Sequence, residues 1–441
     1  MMKHNRGAIV LAMTLALAGC GVFKKAKPKG VLLGERVSIL TAESGVETDP
    51  SLASVPVSLP APIVNDSWAM TGGSADKSLG HLALSATPTR IWEARIAGGN
   101  KQSRLAATPV VAGGRLYAMG VDATVTAFDA NTGAKIWAVQ FGDPAKGDAK
   151  SLFGGGVSVD GDTLYVTNGL GDAGALKAAD GSLIWRKKLG APLRGSPTVD
   201  AGSIYVITQD NQLFALNTAD GATQWTSAAA VQLANVFGAA APSVAQGTVV
   251  EGFSSGDLNA YRYENGRTLW NDALSRTSIN TSVGSLTDVD AGAVIDQGRV
   301  FALGQGGRMV ALELVTGQRA WELNIAGIST PSVAGDWVFV VTDEAKLLCV
   351  SRGTGKVKWV TQLRRYTGKK NKGQPVSWSG PVLAGGNLWL VNTEGQMQSV
   401  SPETGAAGGI MQLKAPMSLP PIVANSTLYV LTNDGRIIAF R

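Results

Sequence analysis

The sequence predicts an all-β chain: an eight-bladed β-propeller of four-stranded antiparallel blades, closed by N- and C-terminal strands in one blade. Three observations predict it. A turn glycine is followed four residues later by tryptophan at Gly133/Trp137, Gly181/Trp185, Gly221/Trp225, Gly266/Trp270, Gly317/Trp321 and Gly355/Trp359. Trp92 and Gly405 extend the series at the two ends, and the spacing is about 45 residues, a propeller period. Finally, the chain has 55 glycines and only 16% charged residues, which suits many short strands joined by tight turns.

Taken in order, residues 1–19 read as a secretion signal. Lys3 and Arg6 precede the short apolar run Ala8 to Leu17, too short to span a bilayer. Leu17-Ala18-Gly19-Cys20 resembles the bacterial lipobox, which implies diacylation of Cys20 and a stable membrane anchor. Gly21 follows, where other lipoproteins use aspartate for inner-membrane retention; this implies an outer-membrane location facing the periplasm. Residues 20–82 read as an extended tether with Lys24, Lys25, Lys27 and Lys29 and scattered prolines such as Pro56, Pro60 and Pro62. Those lysines are either part of a solvated linker or contacts for anionic headgroups.

Residues 83–441 form the propeller. In the unit after Trp92, Thr108-Pro109-Val110-Val111 begins a strand and Gly113-Gly114 turns. Arg115 to Gly120 is the second strand, Val125 to Asp129 the third, and Asn131-Thr132-Gly133 leads to the fourth around Trp137. Glycine, asparagine and aspartate fall where hairpins need positive φ. The same grammar recurs from Ser196-Pro197, Thr330-Pro331 and Gly380-Pro381. The first copy supplies one Trp-bearing strand, Arg90 to Ile96, and the last stops after three, at Arg441. Together they complete one sheet, which removes free edges from the ring.

Net charge is +6, and +4 without residues 1–19, too mild a basicity to predict nucleic-acid binding. His81 is the one histidine beyond residue 19, so no histidine cluster can hold a metal or build a triad. Cys349 reads as a small buried apolar side chain. Asp129, Asp180 and Asp220 recur in turns, where capping explains them. Gly154-Gly155-Gly156 and Gly304-Gln305-Gly306-Gly307 lack a following helix and do not read as phosphate cradles. Arg364, Arg365, Lys369, Lys370 and Lys372 form a basic run read as a solvated loop, with a membrane or partner contact as the alternative.

The repeat Ala-x-Asp-x-x-x-Gly-x-x-x-Trp resembles that of pyrroloquinoline-quinone-dependent dehydrogenases. Those enzymes imply an adjacent cysteine pair, a Ca²⁺ site and a catalytic aspartate, and the adjacent cysteines are missing here. The tryptophans therefore read as packing between blades, and neither a cofactor nor a catalytic residue is expected.

The lipobox, the tether and eight such blades together resemble the BamB lipoproteins of the β-barrel assembly machinery. That resemblance implies a non-catalytic scaffold which binds the periplasmic POTRA domains of BamA and works beside other assembly subunits. It also allows unfolded outer-membrane clients to pair with blade edges. Leu286-Thr287-Asp288-Val289-Asp290 resembles the family's acidic docking loop, implying roles for Asp288 and Asp290. The second docking loop, of Leu-Arg-Gly type, is matched by Leu233-Ala234-Asn235-Val236-Phe237-Gly238, implying Leu233, Val236 and Phe237 as contacts. Phe237 stands in the arginine position, so no cation contact is implied there. Leu193-Arg194-Gly195 has the same letters one blade earlier, and no docking role is transferred to it. A quinone-dependent dehydrogenase or another ligand-binding propeller is the main alternative, and a peptidoglycan- or sugar-binding envelope protein the second.

Overall fold

The computed structural model describes residues 46–100, 103–142, 154–230, 240–275, 287–368 and 373–441. These hold eight four-stranded sheets. Seven are built from consecutive strands: blade 1 spans 110–140, blade 2 155–188, blade 3 198–228, blade 4 243–273, blade 5 294–323, blade 6 332–362 and blade 7 378–412. Blade 8 joins Ile422–Ala424, Thr427–Leu431 and Arg436–Phe440 to the early strand Arg90–Arg95, with Trp92 opposite Ala439. The first strands of successive blades touch one another, so they line the centre of the ring. Apolar content follows that geometry. Trp337–Val341, the second strand of blade 6, is buried throughout, whereas Ala407–Gln412, the fourth strand of blade 7, is exposed throughout. Inner strands are covered on both faces by neighbouring blades and read as continuous apolar runs; outer strands meet water.

The repeated tryptophan closes seven of the eight junctions. Indole Nε1 of Trp92, Trp137, Trp185, Trp225, Trp270, Trp321 and Trp359 donates to a backbone carbonyl of the following blade at 2.7–3.1 Å. The ring lies on that blade's turn glycine. A Cβ at Gly133, Gly221, Gly266 or Gly355 would come within 2.5–2.7 Å of the indole, and these glycines have φ of +69° to +73°. Only glycine satisfies both the backbone and the contact. At the eighth junction Pro88 occupies the glycine position and Gly409 stands where the tryptophan would be.

Beside each turn of blades 1–6 the third and fourth strands slip register in a β-bulge whose extra residue lies on the fourth strand, as Ile136 does between Lys135 and Trp137. The residue before the bulge faces the tryptophan: Ala127, Ala175, Ala215, Ala260 and Ala311, then Cys349 in blade 6. Cys349 is fully buried and burial pushes its thiol far up. It fills an alanine position. In the turns, Asp129 accepts from the amides of Asn131 and Thr132 and from the Thr132 hydroxyl, which holds its carboxyl below the usual range. Asp180 and Asp220 accept from Ser182 and Ala222.

From Val46 onward the expected tether is part of the folded unit, a correction to the boundary at residue 82. Asp49 donates its amide to Val357 O at 2.8 Å, and Lys358 Nζ reaches Leu52 O and Ala53 O. This stretch thereby covers the outer edge of blade 6. Residues 57–82 then form a belt around one mouth of the ring. Val57 packs in the core of blade 6 with Trp337. The belt then bonds to the inner strands in turn, through Asn65–Asn425, Trp68–Val111, Ala69–Val159, Ala75–Val244, Asp76–Ile295 and Leu82–Leu383. Thr71 Oγ1 bonds Ser196 Oγ ahead of blade 3 at 3.0 Å. The belt thus saturates backbone groups at the inner rim. His81 is buried within it. Gly386 donates to His81 Nε2 at 3.0 Å, so Nδ1 carries the proton and donates to Pro60 O at 2.9 Å. Its role is structural.

Candidate functional site

Described parts of the segments that lead into the first strands meet the belt, as where Thr71 Oγ1 bonds Ser196 Oγ and Lys77 Nζ donates to Pro242 O. A central cavity of about 930 Å³ lies between them and the belt. Trp68, Leu79, Leu82 and Lys77 of the belt line it, together with Thr108, Asp290 and Pro331 from the lead-in segments.

Lys77 is an unusual side chain in this wall. Its backbone has φ +59°, a strained conformation for lysine, and its side chain is 4% exposed. The stem runs in a slot between two glycines: a Cβ on either Gly72 or Gly292 would fall 2.6 Å from it. Nζ donates to Pro242 O at 2.6 Å, at the start of blade 4. Burial lowers its pKa to about 8, opposed by Glu251 and Asp76. Glu251 is buried as well, and burial pushes its carboxyl up to about 8 against the pull of Arg194 and Lys77.

The acidic loop joins this buried group of charges. Asp288 has no exposed surface, and the Asp290 side chain is 5% exposed. Both face Arg194, whose side chain is 4% exposed. Arg194 Nη2 lies 3.0 Å from Asp290 Oδ1 and 3.7 Å from Asp288 Oδ1. Gln305 donates its amide to Asp288 O at 2.9 Å and its side-chain Nε2 to Asp290 Oδ2 at 3.3 Å. Burial raises the Asp290 carboxyl to about 7; Arg194 opposes the rise, and Asp288 and Asp343 add to it. Between the two carboxylates, Val289 is fully buried and inserts against Gly252, where a Cβ would meet Val289 Cγ1 at 2.3 Å. Alternation along Asp288-Val289-Asp290 thus sends both carboxylates toward Arg194 and the valine into blade 4.

The expected open acidic patch is therefore replaced by an inward-facing ion pair. Sequence reasoning left Arg194 aside because it belongs to the loop into blade 3. The structure brings it to the loop into blade 5, across the position of blade 4. Leu233, Val236, Phe237 and Cys20 lie outside the described residues, as do Lys369, Lys370 and Lys372. Arg364 pairs with the half-buried Glu394 at 2.8 Å, and Arg365 with Glu344 at 3.5 Å, where both side chains are exposed. Gln305, from the glycine-rich stretch 304–307, holds the acidic loop. Gly154 and Gly155 instead allow close backbone approach: a Cβ on either would lie 2.2 Å from a carbonyl oxygen. Among the described residues no helix is long and apolar enough to cross a membrane.

Residues 121–361 match the family described as "Outer membrane protein assembly factor BamB". A relative of that description from Yersinia pestis is 26% identical over 360 residues, covering 80% of this chain and 89% of the relative. Another, from Escherichia coli, is 28% identical over 360 residues, covering 80% and 88%. The crystal structure of BamB from Moraxella catarrhalis superposes with a TM-score of 0.67 at 18% identity, over 80% of this chain and all of that one. A quinohemoprotein alcohol dehydrogenase from Comamonas testosteroni superposes with 0.65 at 12% identity, over 85% and 80%. At such identities the two structures show a shared propeller fold alone.

Proposed function

The chain belongs to the BamB family of outer membrane protein assembly factors, and on that footing we propose that it is a non-catalytic scaffold docking on the periplasmic POTRA domains of a BamA-type channel. The supporting observation is the fixed loop Thr287–Asp290, held by Arg194 from the segment before blade 3 and by Phe253 O of blade 4. In sequence, residues 231–239 precede the first strand of blade 4 and Thr287–Asp290 precedes that of blade 5. In this reading Leu233, Val236 and Phe237 supply the apolar anchors. Asp288 and Asp290 act from within, fixing the shape of their own loop rather than offering free charge.

Lipidation of Cys20 places the protein at the outer membrane, facing the periplasm. Val46, the first described residue, stands 26 positions after Cys20. At full extension that span reaches at most about 90 Å. Confinement within such a radius raises the effective concentration of the partner, so a modest interface suffices. The exposed outer strands, with Ile136, Leu183 and Ile410 at the surface, are the proposed place for extended client segments. No cofactor enters this reading.

Titration calorimetry of the purified chain against the isolated POTRA domains tests the site. Val236→Asp and Phe237→Asp should each weaken binding about tenfold or more while leaving the melting temperature unchanged. Wild-type affinity in both variants would move the site elsewhere.

A further inference from the structure

Phe237 stands where the resemblance led to an arginine, yet an arginine does reach the acidic loop. Arg194 arrives from the segment before blade 3, 96 residues away from Asp290 in sequence. Its backbone is fixed on both sides: its amide donates to Ile207 O at 3.0 Å, and its carbonyl accepts from Gly155 at 3.2 Å. Leu193, immediately before it, is fully buried. The guanidinium therefore projects from a rigid base. Its Nη1 is buried without a hydrogen-bond partner, while Nη2 meets both carboxylates. Glu251, Lys77 and Asp343 are the other charges acting on this group.

From this juxtaposition we infer that Arg194 is a positioning residue for the docking end of the ring. It neutralises Asp288 and Asp290 together and holds the loop with Val289 seated against Gly252, bracing blades 3 and 5 across blade 4. Two buried carboxylates so close would otherwise repel one another and pull the loop toward water. The clamp belongs to the loop rather than to the partner contact, because Arg194 has no surface with which to touch another chain. Its consequence for binding rests on the docking reading above; its consequence for the loop does not.

Hydrogen exchange of the free, full chain separates the two. The amides of Val289 and Gln305 donate to Phe253 O and Asp288 O. In Arg194→Gln these amides should exchange about tenfold faster or more, while strand amides of blade 7 keep wild-type protection. Arg194→Lys retains charge without the fork and should give a smaller change, and it serves where Gln prevents folding. Affinity for the POTRA domains should fall in parallel. Asp290→Asn combined with Arg194→Gln should lose less than the two single losses added together. Unchanged protection of Val289 and Gln305 in both Arg194 variants would overturn the inference. Absence of POTRA binding by the wild-type chain would overturn the docking reading and leave the exchange result to decide the clamp.

Discussion

Two glycines of blade 3 permit a controlled measurement of what the tryptophan clasps contribute. Gly202 and Gly221 have nearly the same backbone, φ +74° and +71°. A Cβ on Gly202 meets nothing within 4 Å, whereas a Cβ on Gly221 would lie 2.7 Å from Cε3 and Cζ3 of Trp185. Gly202→Ala should therefore cost only the left-handed penalty, about 1–2 kcal/mol. Gly221→Ala carries that penalty plus the cost of overpacking, about 1–3 kcal/mol more. Trp185 cannot retreat freely, because its Nε1 is held by Thr218 O at 2.9 Å. Equilibrium urea unfolding, followed by tryptophan fluorescence, measures both variants. Trp185→Ala should remove the excess, so the double variant with Gly221→Ala is less destabilised than the two singles summed. Equal destabilisation by Gly202→Ala and Gly221→Ala would refute the clasp as an energetic element.

Further outcomes follow from other positions. Cys349→Ala should cost less than about 1.5 kcal/mol in the same unfolding assay, since alanine serves at that place in five other blades; the native thiol should resist a thiol reagent until the protein unfolds. Trp68→Ala should cost about 3–5 kcal/mol and expose the inner rim of blade 1 to exchange, because this indole is 3% exposed. Stability should also fall with rising pH. Glu251 (about 8, ordinarily 4.5) and Asp290 (about 7, ordinarily 3.8) hold protons more tightly folded than unfolded. Their contribution is fully present below about pH 4 and is lost as pH climbs through 7 to 8. Urea midpoints measured between pH 5 and 8 should decline, and Glu251→Gln should flatten the decline. Carboxyls lowered by turn hydrogen bonds, such as Asp49 at about 2, act below this window and with the opposite sign.

The blades were legible because each is specified within about 45 residues. The turn glycine, the alanine before the bulge and the tryptophan meet through neighbouring strands and the next repeat, so their spacing carries the contact. Blade 8 was legible because the two incomplete copies sum to four strands. The belt was not. Trp68, Ala75, Asp76 and Leu82 each meet a different blade, so no period of two or 3.6 marks the segment, and prolines and serines disguise it as linker. Trp68 and the pair Gly72-Gly73 were the available signs: a large apolar residue and two turn positions have little use in a solvated tether. In the acidic loop, the residue types were legible and their direction was not. Asp288 and Asp290 face inward because Arg194 lies two lead-in loops earlier, a pairing that only ring closure creates. Phe237 marked the missing cation without indicating where one would come from.

Affinity capture from native membranes through the lipidated full-length chain tests the central claim most directly. The account predicts co-purification of a BamA-type barrel with its POTRA domains, reduced by Phe237→Asp. Capture without any barrel-assembly subunit, together with alcohol or sugar oxidation after loading the chain with pyrroloquinoline quinone and Ca²⁺, would contradict it.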